Sequence, residues 1–340
     1  MDLNTVTLPF PVVRFSLLTD EAVFLRFGQD HIFTGGHNMV AEVRNGVQTI
    51  DHIAIPVRDL QCNQDFYVDV LGLKYKTTRR NADGSPRQTY VLAGENIIGL
   101  HLPGVQAGSS TSSGPRIGVC LSHERLAQVR ENLQAANHPF RGPVEHGEAT
   151  PFVHSIYFDD PDGNHLEFCV RRKAPLEECI SHTLFETRDL NKAITFYTEA
   201  LGAGVPVRCG SEVFIPVQNG QMIGLMEVAE LSERSRKHGR GCHMAMDVTH
   251  EDFDSMIALV ERYGGKTQGD KRADEGLRPE GERSIYLFDP DNNRLQITAP
   301  AANQNNELLP DEEKWRRIIA SRKEQGRGLT RWESGGKKII

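Results

Sequence analysis

The stretch Asp51 to Gly72, DHIAIPVRDLQCNQDFYVDVLG, returns as Ser181 to Gly202, SHTLFETRDLNKAITFYTEALG. The pairs His52/His182, Arg58/Arg188, Asp59/Asp189, Leu60/Leu190, Phe66/Phe196, Tyr67/Tyr197, Leu71/Leu201 and Gly72/Gly202 are identical. The closing stretch repeats as well: Ser155 to Phe168, SIYFDDPDGNHLEF, reappears as Ser284 to Ile297, SIYLFDPDNNRLQI. Self-similarity of this kind means one structural unit used twice. The chain therefore reads as two tandem domains, residues 49–172 and 179–299, with an N-terminal extension at 1–48 and a charged C-terminal tail at 300–340.

Each copy divides again. The alternation in His-Ile-Ala-Ile-Pro-Val predicts a strand, and Arg-Asp-Leu opens a helix whose apolar positions Phe66, Tyr67, Val70 and Leu71 fall at helical spacing, with Gly72 as its stop. Strands are expected near Gln88–Leu92 and Ile97–Leu102, followed by a Ser/Gly-rich linker at Gly108 to Gly114. The order then recurs, with a strand at Arg116–Leu121, a helix at His123–Ala136 and strands over Ser155–Phe158 and His165–Val170. The Asp-Pro-Asp-Gly and Asp-Pro-Asp-Asn turns join the last two strands of each copy as hairpins. The fold class is α+β, each domain a pair of βαβββ modules.

Composition narrows the partners. A chain of 340 residues, 38% apolar and 25% charged, is ordinary for a globular protein of about two domains. No apolar run approaches the roughly 20 residues that cross a bilayer, and the N-terminus lacks the pattern of a secretory signal, so a cytoplasmic location without a membrane is expected. The six cysteines form no CxxC pair, which argues against a disulfide framework or a zinc knuckle. A net charge of -7 with mixed signs gives no footprint for nucleic acid and favours a small-molecule partner. In the tail, Asp311-Glu312-Glu313 precedes Lys314, Arg316, Arg317, Arg322 and Lys323, the charge order of a solvated helix or dimer arm.

A first strand of the type [DS]-H-x-x-[IF], a helix carrying Phe-Tyr, and a closing S-I-Y-x-x-D-P-D-x-N-x-L-[EQ] together resemble the vicinal oxygen chelate superfamily. Its members include glyoxalase I, methylmalonyl-CoA epimerase, fosfomycin-modifying transferases, bleomycin-binding proteins and type I extradiol dioxygenases. The resemblance implies that two modules form a U-shaped sheet holding one divalent metal, with ligands on the opening and closing strands. Fold follows from it more firmly than activity.

On that pattern the first copy supplies His52 and Glu167, with Arg116 where a second histidine belongs and His101 as its substitute. The set His52, His101 and Glu167 suits Fe(II) or Mn(II). The second copy supplies His182 and His243, but Gln296 stands at the carboxylate position. In some four-module relatives that cleave hydroquinones the first module pairs with the fourth, which here joins His52 to His243 and Gln296. The three arrangements are ranked in that order. Tyr157 and Tyr286 precede the closing-strand positions and could hydrogen-bond a substrate oxygen, and His154 could shuttle a proton. The usual places for a general base carry Gln221 or Asn96 and Leu277 or Glu148.

The implied function is an Fe(II)-dependent extradiol-type ring-cleaving dioxygenase acting on a small catechol- or hydroquinone-like substrate with dioxygen. The alternatives are a glyoxalase- or epimerase-type isomerase or lyase working through a metal enediolate, and a metal-free protein that binds a toxin or antibiotic. A homo-oligomer paired through sheet edges also fits the resemblance.

Overall fold

The computed structural model describes residues 45–81, 83–102, 115–173, 177–232, 243–267 and 283–299, together with the backbone of 330–333 and 336–339. The linker at Gly108 to Gly114, Leu277, nearly all of the N-terminal extension and most of the tail, including the charge run at 311–323, lie outside these residues.

Four modules follow one another. The first contains β1 (Thr49–Pro56), α1 (Leu60–Asp65), β2 (Lys74–Arg80), β3 (Pro86–Ala93) and β4 (Asn96–His101). The second contains β5 (Arg116–Cys120), α2 (His123–Ala135), β6 (Phe140–Glu145), β7 (Phe152–Asp159) and β8 (His165–Arg171). The third contains β9 (Cys179–Thr187), α3 (Leu190–Thr195), β10 (Val207–Cys209), β11 (Glu212–Pro216) and β12 (Met222–Glu227). The fourth contains β13 (His243–Asp247), α4 (His250–Arg262), β14 (Lys266–Thr267), β15 (Arg283–Phe288) and β16 (Arg294–Ala299). A short hairpin, β17 (Thr330–Glu333) and β18 (Gly336–Ile339), follows.

The repeated residues have local jobs. Asp59 and Asp189 cap the opening helices, their carboxylates accepting from the backbone of Gln61 and Cys62 or of Lys192. The Phe-Tyr turn then widens into a π turn in both copies, with the Leu71 and Leu201 N–H groups donating five residues back to Phe66 and Phe196. Gly72 and Gly202 end it at φ 70° and 64°, a region that a residue with a Cβ rarely adopts. The Asp-Pro-Asp turns are latches. Asp160 accepts from the Asp162 and Asn164 backbone and from the Tyr67 hydroxyl, while the Arg58 side chain donates to Asp162. Asp289, Tyr197, Arg188 and Asp291 reproduce this in the second copy. These contacts join the two modules of one copy.

Sheet pairing runs the other way. One mixed eight-stranded sheet has the order β14-β15-β16-β13-β1-β4-β3-β2, and the other β10-β11-β12-β9-β5-β8-β7-β6. Module one is thus hydrogen-bonded to module four, and module two to module three. The expectation that each copy closes a sheet of its own gives way to an exchange between copies. The reason is that β1, β5, β9 and β13 carry the same alternating pattern, which fixes the face of a strand but not its partner. Asn96 and Gln221 bind the two sheets at this crossing. Asn96 donates to Ile50 O and accepts from Ile180 N, while Gln221 accepts from Ile50 N and donates to Ile180 O. Both belong to the architecture, not to a general base.

The helices cover the outer faces of the sheets, and one continuous apolar core, including Phe66, Leu100, Phe168, Phe196, Phe253 and Ile297, runs through all four modules. A smaller cluster of Phe152, Cys169, Leu184, Phe214 and Met222 lies on the inner face of the second sheet.

Candidate functional site

The central strands place four equivalent positions on the inner face of each sheet. In the first sheet β1 and β13 supply His52 and His243, with Ala54 opposite His243 and Ala245 opposite His52. Beside them, β4 places Gly99 against Ala54 and β16 places Gln296 against Ala245. In the second sheet the equivalent positions are Arg116 and His182 on the opening strands, and Glu167 and Gly224 on the closing strands.

In the first sheet the two imidazoles converge. The Nε2 atoms of His52 and His243 are 3.1 Å apart, and Asp51 Oδ2 lies 2.6 Å from His52 Nδ1. The carboxylate can only accept, so Nδ1 carries a proton and Nε2 is the atom turned toward His243. Gln296 is wholly buried. Its amide nitrogen donates to Ser284 Oγ at 2.7 Å, while its Oε1 has no hydrogen-bond partner. A buried carbonyl oxygen left unsatisfied is an uncommon and costly arrangement.

His101 lies one step away. Its ring centroid is 6.4 Å from that of His243, and its Nδ1 is 2.6 Å from the Gln88 amide nitrogen. A Cβ on Gly99 would meet His101 Nε2 at 2.9 Å, so the glycine makes room for this imidazole. Burial, and then the charges of His52, Arg87, Arg79 and Arg294, lower its pKa to about 3. Tyr286 packs edge-on against His243, with ring centroids 5.1 Å apart, and the Arg294 guanidinium lies 4.1 Å above the tyrosine ring.

The donors fit a divalent cation as an uncharged set: two imidazoles, one amide oxygen and a third imidazole nearby. Among the described residues no three His, Cys, Asp or Glu side chains gather as a ready ligand group. His52, His243 and Gln296 would hold the ion, and His101 would have to swing toward it.

The second sheet has its charge supplied from within. Arg116 Nε donates to Glu167 Oε2 at 2.7 Å, and Nη2 donates to both Glu212 carboxylate oxygens at 2.7 Å. Ser155 and Tyr157 donate to the other Glu167 oxygen at 2.7 and 3.2 Å. Glu167 is held far below the usual carboxylate range because, against its complete burial, Arg116 and His182 favour the anion. Arg116 is correspondingly raised by Glu167 and Glu212, against its burial. Burial and the Glu167 charge push Tyr157 up. His182 sits between Phe152 and Phe214, with both centroid distances 5.2 Å, its ring over Gly118, whose added Cβ would meet Cε1 at 2.1 Å. A guanidinium already paired with both carboxylates leaves this cavity a poor metal site.

The sequence-based sets therefore divide. His52 and His101 share the first sheet, but Glu167 belongs to the second; His182 and His243 are likewise in different sheets. The arrangement ranked last, His52 with His243 and Gln296, is the one the strands bring together. Tyr286 lies in that site, and Tyr157 beside Arg116. His154 faces the helix side of the second sheet, against His123 and paired with Glu145 at 2.9 Å, away from both cavities. Tyr90, the partner of Gly99 as Tyr286 is of Gln296, escaped the sequence reading. Its signal was there in the register, since Tyr90, Tyr157 and Tyr286 occupy equivalent positions.

A family model for the Glyoxalase/Bleomycin resistance protein/Dioxygenase superfamily matches residues 49–168 and 179–297, most of the chain and both copies. The chain belongs to this superfamily. A virulence protein of Salmonella typhimurium is 31% identical over 125 residues, covering 36% of this chain and 83% of that protein. The metallothiol transferase FosB of Lysinibacillus sphaericus is 26% identical over 120 residues, covering 35% of this chain and 81% of the transferase. Each match is the length of one copy. Among solved structures, a Bacillus subtilis protein described as a "putative dioxygenase" superposes with a TM-score of 0.57 at 20% identity, covering 85% of this chain and 98% of its own, a likeness of fold. Superfamily members bind divalent metals and act on small molecules. Among the described residues no helix is long and apolar enough to cross a membrane.

Proposed function

We propose that this chain is a metal-dependent oxidoreductase, a ring-cleaving dioxygenase for a small catechol- or hydroquinone-like molecule, with its centre in the sheet built by modules one and four. The observation that carries this reading is the facing pair of Nε2 atoms on His52 and His243, one of them oriented by Asp51, beside the unsatisfied Gln296 oxygen. A divalent metal held there, Fe(II) or Mn(II), would supply Lewis acidity toward a substrate hydroxyl and redox chemistry toward dioxygen.

The protein's own groups divide the remaining work. Tyr286, set against His243 and under Arg294, is placed to donate a hydrogen bond to a substrate oxygen. His101, anchored by Gln88, faces the same space and can orient a second hydroxyl. Tyr90, which donates to Gln88, completes that wall.

One feature separates this reading from a glyoxalase- or epimerase-type reaction. Moving a proton to and from carbon needs a carboxylate or another strong base beside the metal. The closing-strand positions of this sheet hold Gly99 and Gln296, and Asp51 is committed to His52. Glu167 and Glu212 serve Arg116 in the other sheet.

The test is metal content of anaerobically purified protein, followed by oxygen uptake on catechols and hydroquinones. About one iron or manganese per chain, lost in His243→Ala and kept in Glu167→Ala, with oxygen consumed on one of these substrates, supports the proposal. Turnover without oxygen uptake would move the chain to the isomerase class. Folded protein that takes up no metal would leave a binding protein.

A further inference from the structure

Four residues beyond Arg116 and two beyond Glu167, on the same strands and the same face, the second sheet carries a row of thiols. Cys120 on β5 has Cys169 of β8 as its parallel partner and Cys179 of β9 as its antiparallel partner. Three reduced cysteines therefore stand side by side across three adjacent strands. Cys120 and Cys169 are fully buried, while Cys179 is partly exposed. Arg171, buried on β8, donates through Nη1 to Gly220 O at 2.6 Å, and its Nε has no hydrogen-bond partner. Its positive charge acts on all three sulfurs.

Directly opposed residues of an antiparallel pair have Cα atoms about 4.5–5.5 Å apart, inside the roughly 4.4–6.8 Å that a disulfide spans. The thiols are also chemically unequal. A hydrogen bond from Cys179 and the Arg171 charge lower Cys120 despite its burial, and the same bond raises Cys179. One sulfur is thus favoured as the thiolate and the other is the one solvent can reach.

We propose that Cys120 and Cys179 form a reversible redox pair that staples module two to module three across the seam of the second sheet. A hydroperoxide oxidises the accessible Cys179 sulfur to the sulfenic acid as its proton passes along the hydrogen bond to the Cys120 thiolate and on to the leaving oxygen, so that the peroxide departs as its alcohol, or as water when the oxidant is hydrogen peroxide. The Cys120 thiol, acting as thiolate, attacks the Cys179 sulfur. The S–S bond forms, the S–O bond breaks, and the hydroxide takes a proton from solvent and departs as water. Two electrons pass from the two sulfurs to the peroxide. The link restrains β5 against β9, the strands that carry Arg116 and His182.

Full-length, metal-stripped protein treated with one equivalent of hydrogen peroxide and mapped by mass spectrometry without reduction tests this. The expected result is a peptide linking Cys120 to Cys179, loss of two titratable thiols, a raised unfolding midpoint, and reversal by dithiothreitol. Cys179→Ser removes the link, and Cys62→Ser leaves it intact. Oxidation confined to Cys62 or Cys209, a Cys120–Cys169 link, or Cys179 carried on to the sulfinic acid would each overturn the proposal. The wild-type map decides the question even if a variant fails to fold.

Discussion

The two sheets of this protein are built from the same repeat, yet their inner faces have opposite electrical arrangements. The first presents His52, His243, Gln296 and Gly99 at its four equivalent positions, an uncharged set. The second presents Arg116, His182, Glu167 and Gly224, with Glu212 closing on the guanidinium. The second face carries a cation of its own, the Arg116 guanidinium between Glu167 and Glu212. The comparison teaches that the residues sharing an inner face are a property of a sheet and not of a sequence copy, because each sheet draws half of its positions from each copy.

The largest expected difference is between the two histidine pairs. His243→Ala should abolish metal binding and any oxygen uptake, whereas His182→Ala, which removes a ring lodged between Phe152 and Phe214, should leave metal content unchanged. Elemental analysis of both variants checks this, and loss of metal in His182→Ala would reverse the assignment of the sheets.

Next is Glu167. Its removal leaves the partly buried Arg116 with Glu212 alone and should cost roughly 3 kcal/mol, read by denaturant unfolding, with metal content preserved. The sign of its pH dependence follows from its lowered pKa. The stabilisation is fully present above the ordinary carboxylate value of 4.5 and is lost only as pH falls through the depressed folded value. Unfolding of Glu167→Ala should therefore be less acid-sensitive than that of the parent chain.

Smaller effects sharpen the first sheet. Asp51→Ala frees the His52 ring to adopt either tautomer and should weaken metal binding about 10- to 100-fold, measured by competition with a chelator. Gln296→Glu adds the missing anion and should tighten the same site by on the order of tenfold, about 1.4 kcal/mol. An unchanged affinity in Gln296→Glu would remove that position from the ligand set.

The smallest effect is one in which the copies should not differ. Burial raises Asp160 and Asp289 to about 6, against the hydrogen bonds that favour their anions. The folded state thus holds these protons more tightly than the unfolded chain, whose value is near 3.8. Their contribution is full below about pH 3.8 and lost as pH rises through about 6. Asp160→Asn and Asp289→Asn should each flatten the same part of a stability-versus-pH curve, by similar amounts.

Much of the fold was legible because the repeat is strict where chemistry is local. The capping Asp59 and Asp189, the Phe-Tyr turn, and the Asp-Pro-Asp latch each act over a short distance or between modules of one copy, so their residues recur together. The turn's π character was not legible, since period alone does not distinguish five-residue from four-residue bonding. Tyr286 was found because it stands in a repeated motif. Tyr90 was not, because its equivalence appears only once β3 and β4 are in register. His154 was misplaced although alternation settles its face: it stands three residues before the inward Tyr157 in unbroken register, which turns it to the opposite side of the sheet.

The sequence by itself determined the module, its order, its four-fold use and the residue type at each of the equivalent inward positions, because alternation assigns each side chain to a face within its own strand. Only the tertiary structure decided which strands meet. β1, β5, β9 and β13 are interchangeable by pattern, and their partners are selected by contacts far apart in the chain, such as Asn96 with Ile180 and Gln221 with Ile50. That choice places Arg116 beside Glu167 and His182, and His52 against His243.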